Sequence, residues 1–221
     1  MNTQFVQPSL VGYHVVRAAS EFPSLDPRHL FDYLLAGNGL FIRSARAEFS
    51  ACAPVMSIVV RGLPALTPGV HWRVPRVPGW LVIELLARAR SEVKSSGEPL
   101  EALYHLTWEP ALWRWQLEKP SQIQRPASIE PVGPFAGTSH ATHAIDVHTH
   151  PFNLRTFSTT DDKSELSRLR LSAVLADIFR RPSLRLRVTV FGHLLEIPAA
   201  TAFELPIEVT DALVLDEKET G

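Results

Sequence analysis

Cysteine is almost missing from this chain: Cys52 is the only one among 221 residues. A disulfide within the chain is therefore excluded, and so is a metal site built on several thiolates. Cys52 itself reads as a small buried apolar residue. A surplus of one charge is missing too, since 22 Lys and Arg face 23 Asp and Glu for a formal net charge of -1. Nucleic-acid binders carry a basic surplus or stripe, and here only Arg180-Arg181 and the pair Arg185 and Arg187 cluster. No glycine-rich phosphate loop occurs. The longest apolar stretch, 80–83 with 85–87, falls far short of the roughly 20 residues that cross a bilayer. Met1-Asn2-Thr3-Gln4 lacks the basic and apolar regions of a signal peptide. The expectation is a cytoplasmic chain with neither a membrane nor a nucleic-acid partner.

Proline is plentiful. Pro64, Pro68, Pro75 and Pro78 fall within 62–79, where missing donors and restricted neighbours predict an extended, irregular connection. This divides the chain into an N-terminal α/β extension (1–78), a main domain (79–205) and an acidic tail (206–221), frayed over 211–221. In the extension, a strand is expected over 13–16. A short helix opens at Asp26-Pro27 and stops at Gly37-Asn38-Gly39, and strands follow over 40–49 and 55–60. Downstream come a buried helix over 80–93, a hairpin of 101–108 with 111–117 turned at Glu109-Pro110, and a strand over 144–150. The spacing of Leu166, Leu169, Val174 and Ile178 predicts a helix from about 158 to 179. Alternation over 184–190 predicts a last strand. The five Trp are expected mainly in buried packing. The expected fold class is an α/β sandwich around a mixed sheet.

Candidate chemistry sits in His148-Thr149-His150-Pro151. On a strand, residues two apart share a face at about 6.6–7 Å between Cα atoms, so both imidazoles can converge on one metal ion. Pro151 ends ladder pairing and sets the pair at a strand terminus, where open sheets tend to place sites. Asp161, at the start of the expected helix, is a candidate third ligand, its charge favoured by the helix dipole. Two His and one carboxylate leave a fourth zinc position for water, as catalytic sites do. Ser158 reads as a helix cap or as a hydroxyl donor to a developing oxyanion. Asp146 shares the face of the two histidines, as a solvated strand carboxylate or as a partner orienting an imidazole. His140 and His143 read as polar loop residues. His14, His29, His71, His105 and His193 show no ligand spacing.

His148-Thr149-His150, seven intervening residues, then Ser158-Thr159-Thr160-Asp161, resembles the motif H-[ST]-H-x7-S-x-x-D of the JAMM (JAB/MPN-like) metallopeptidases, with the likeness running over about 80–200. The resemblance implies a cytidine-deaminase-like α/β/α fold, a zinc ion held by His148, His150 and Asp161, and cleavage of peptide or isopeptide bonds beside ubiquitin-like proteins. It also implies an upstream glutamate at a strand start acting as general base. Glu101 occupies that place, with Glu98 and Glu109 as alternatives, although Ala102-Leu103-Tyr104-His105 departs from the small residues usual there. Trp113-Arg114-Trp115, Pro120-Ser121-Gln122 and Phe157 to Asp162 with Glu165 resemble the protein A family of the bacterial PRTRC cassette. That likeness implies a ubiquitin-like substrate and a ThiF-like partner. The rival expectation is an inactive MPN-like scaffold that only binds such a partner. A zinc deaminase is excluded, since its site needs at least two cysteines.

Overall fold

The computed structural model describes residues 9–18, 25–133, 138–152, 154–157 and 168–220. The chain is mostly β, with 13% helix and two mixed sheets that include a curled half-barrel, and it is not an α/β/α sandwich. The first sheet runs in chain order through β1 (Val11–Val15), β2 (Phe31–Ala36), β3 (Gly39–Ala45), β4 (Phe49–Ser57) and β5 (Gly69–Trp72). Only β1 with β2 is parallel. After α1 (Gly79–Ser91) come β6 (Leu103–Glu109), β7 (Arg114–Glu118), the small hairpin β8 (Gln122–Arg125) with β9 (Ser128–Pro131), and the single turn α2 (Ser139–Thr142). Then follow β10 (Ile145–His150), β11 (Leu169–Ala176), β12 (Ser183–Val190), β13 (His193–Ile197), β14 (Thr210–Asp211) and α3 (Ala212–Thr220). The large sheet has the order β13-β12-β11-β10-β6-β7, with β14 on β12.

Several expectations are corrected by these elements. Residues 31–36, read as helix, form β2, whose burial alternates with period two; Gly37-Asn38 is the hairpin turn into β3 rather than a helix stop. The single strand expected over 40–49 is broken, because the chain turns at 46–48 before β4 begins. Residues 169–176, read as the end of a long helix, form β11 between a parallel and an antiparallel neighbour. Buried on both faces, such a strand loses clean alternation, and its apolar residues then match helical spacing by chance. The tail over 211–221 is not frayed at its start: Asp211 and Ala212 are buried and open α3. The helix α1, the hairpin β6–β7 and the strands β10 and β12 lie where expected. Three Trp cluster, with Trp72 stacked on Trp115 and Trp108 tilted against Trp115, whereas Trp80 and Trp113 are exposed.

The large sheet has two unlike faces. Ile145, Val147, Leu171, Ala173, Leu175, Leu186 and Val188 line one of them, in a single core with Leu81, Val82, Leu85 and Leu86 of α1 and Ile42, Phe49 and Ala51 of the first sheet. The alternate residues, Asp146, His148 and His150 on β10, His105 on β6, Arg170 and Ser172 on β11, and Arg185, Arg187 and Thr189 on β12, turn to the other face. Apart from His148, which is half-buried, and the partly exposed Arg170, these polar groups are buried.

Candidate functional site

Strand β10 is central and carries both histidines at its C-terminal end, beside the C-terminal end of the parallel strand β11. On its other side β6 runs antiparallel, pairing His148 with Leu103. The next rung is closed by Thr149, whose N–H donates to the Ala102 carbonyl at 2.9 Å while its Oγ1 accepts from the Ala102 N–H at 2.8 Å. Glu101 lies just before β6, next to Ala102; its N–H donates to the Arg125 carbonyl at 3.1 Å and its carbonyl accepts from Gln124 Nε2 at 2.9 Å, so its backbone is tied to β8. Glu98 lies in an exposed turn, paired with Lys94 at 2.5 Å. Glu109 ends β6 at its opposite end.

His150 is buried, and its Nδ1 lies 2.8 Å from the Leu154 carbonyl. A carbonyl only accepts, so a ring proton sits on Nδ1, the arrangement in which a backbone oxygen orients a ligating imidazole. The chain beyond is drawn over the polar face: Arg185 Nε donates to the Arg155 carbonyl at 2.7 Å, and the Arg187 guanidinium lies 3.7 Å from the centroid of Phe157. Ser158 and Asp161 lie outside the described residues.

One rung towards the start of β10 is a second constellation that the sequence reading did not assemble. Asp146 pairs with His105 across the ladder. Its Oδ1 lies 2.8 Å from His143 Nε2 and 3.3 Å from His105 Nε2, and its Oδ2 lies 2.5 Å from Arg170. The two imidazoles stack with centroids 4.1 Å apart. His105 Nδ1 meets Ser139 Oγ at 2.8 Å, and His143 Nδ1 donates to the Ser139 carbonyl. Burial, with His143 alongside, pushes His105 down to about 3 and keeps it neutral. Burial raises the Asp146 carboxyl, but the His143 hydrogen bond and the Arg170 charge outweigh it and hold it ionised. This buried His-His-Asp group can hold a metal ion. The available signal was His143-x-x-Asp146, one short turn apart; His105 is 38 positions upstream of His143 and only the β6–β10 register brings it in.

No helix among the described residues is long and apolar enough to cross a membrane. Cys52 is half-buried and burial raises its thiol to about 11, which leaves it unreactive. Compared with known proteins, the chain matches no family model and no curated protein. What the structure itself supplies is a mostly-β chain with two histidines at the end of β10 and a buried His-His-Asp group that can hold a metal ion.

Proposed function

We propose that this protein is a zinc-dependent hydrolase of the JAMM type that cleaves a peptide or isopeptide bond beside a ubiquitin-like protein. The observation that carries the reading is the end of β10, where His148 and His150 share one face and Thr149 between them holds Ala102, the neighbour of Glu101. In support, the His150 ring is oriented by the Leu154 carbonyl as a ligating imidazole would be. His148, His150 and Asp161 would hold the zinc. Such an ion supplies a water of lowered pKa and polarises the scissile carbonyl. Glu101 takes the proton from the attacking water and passes it to the leaving amine. Ser158 donates to the oxyanion. Peptide specificity rests on the motif resemblance, as does a ThiF-like partner.

The experiment is cleavage of an encoded ubiquitin-like protein or its conjugate by the full-length chain. Turnover should vanish on chelation and survive thiol alkylation. His148→Ala and Asp161→Ala should each lose the zinc of this site, read by elemental analysis. Full zinc retention in both variants rejects the ligand assignment. Zinc binding without turnover on any such substrate favours the inactive scaffold.

A further inference from the structure

We infer that His105, His143 and Asp146 form a second divalent-cation site, structural rather than catalytic, independent of the hydrolase reading. The three ligand atoms are His105 Nε2, His143 Nε2 and Asp146 Oδ1, all within 4.8 Å of one another. Zinc bonds of about 2.0–2.1 Å at tetrahedral angles place ligand atoms roughly 3.3 Å apart, and the two distances to Oδ1 are 2.8 and 3.3 Å. Each imidazole is anchored through Nδ1 to Ser139, one to its hydroxyl and one to its carbonyl, which holds both Nε2 atoms beside Asp146 Oδ1. That is the usual way outer groups orient ligating histidines.

One observation shows that the group is incomplete as a purely hydrogen-bonded cluster. His105 Nε2 is buried with no hydrogen-bond partner, an arrangement that native interiors rarely leave standing. A cation held beside Oδ1 answers that need. Arg170 binds the far carboxylate oxygen and leaves Oδ1 to the ion. The three ligand side chains are 1%, 4% and 7% exposed, so the site is closed to substrate. It would tie α2 to β6 and to the start of β10, and so brace the strand that presents His148 and His150.

The test is metal stoichiometry on the full-length chain, stripped with chelator and re-equilibrated with Zn2+. The wild type should hold two ions. The double variant His148→Ala/His150→Ala should keep one, with a zinc-dependent rise in melting temperature and, after Co2+ substitution, visible d–d bands of a low-symmetry N/O site. Asp146→Asn, which preserves shape, should lose one ion from the wild type and the last one from the double variant. An Asp146→Asn protein that retains every ion, or a folded double variant that takes up neither Zn2+ nor Co2+, overturns the inference. The two readings fail separately. A wild type that holds a single ion, kept in His148→Ala/His150→Ala and lost in Asp146→Asn, rejects the hydrolase ligands and upholds this site; a single ion lost in the double variant and kept in Asp146→Asn does the opposite.

Discussion

Thr149 stands between two histidines on a strand, so its side chain points to the opposite, apolar face, where it is fully buried. Its hydroxyl accepts the Ala102 N–H and so pins the residue next to Glu101 against β10. Thr149→Val keeps the shape but leaves that buried N–H without its side-chain acceptor, at about 1–3 kcal/mol. Urea unfolding should show that loss, turnover should fall with it, and Thr149→Ser should restore both; a Val variant as stable and active as wild type would remove Thr149 from this role. Glu101→Gln keeps shape and hydrogen bonding but cannot take a proton. It should slow turnover by about 10²–10⁴-fold while retaining zinc and fold, whereas Glu98→Gln and Glu109→Gln should do little. Near-normal turnover in Glu101→Gln, or loss of zinc, would show that the glutamate has another role.

Among the elements, the β2–β3 hairpin depends on its turn. The Gly37 N–H donates to the Pro64 carbonyl at 2.7 Å, its carbonyl accepts from Val60 at 2.9 Å, and a Cβ there would stand 2.2 Å from the Leu63 carbonyl oxygen. That neighbour is backbone and cannot swing away. Gly37→Ala should therefore destabilise by about 1–3 kcal/mol through overpacking, seen as a lowered melting temperature with site chemistry intact. An unchanged melting temperature would mean that the 60–64 segment can move off the turn. The same turn was legible in sequence as Gly37-Asn38-Gly39, but as the end of a helix. A glycine-rich stop marks a change of direction without telling which element precedes it.

For the molecule as a whole, Asp32 is one source of acid stability. It is fully buried in the first sheet, with Arg43 at 2.8 Å, His29 at 2.7 Å and His14 at 3.3 Å. Burial raises its carboxyl, but the hydrogen bonds from Arg43 and His29 and the Arg43 charge prevail and lower it below its ordinary 3.8. A carboxyl lowered in the folded state binds fewer protons there than in the unfolded chain. Its stabilisation is therefore complete above about pH 4–5 and is lost as pH falls through the folded value. Asp32→Asn should be less stable at neutral pH and should show a shallower loss of stability on acidification, measured by urea unfolding from about pH 6 to 2. An acid limb as steep as wild type would place the acid-sensitive group elsewhere.

The strand 144–150 and the shared face of His148 and His150 follow from alternation alone, because a period of two is a local property of extended backbone. The helix α1, the β6–β7 hairpin and β12 were legible for the same reason, with strong local patterns bounded by Gly or Pro. The fold class was not, since β2 and β11 are strands only because neighbours on both sides satisfy their backbone groups, and no local pattern records a neighbour. Register decided the rest. That Ala102 meets Thr149, and that His105 joins His143 and Asp146, are facts about how β6 slides along β10. Pairing across tens of residues is set by burial of the apolar face, and it exists only once the sheet is assembled.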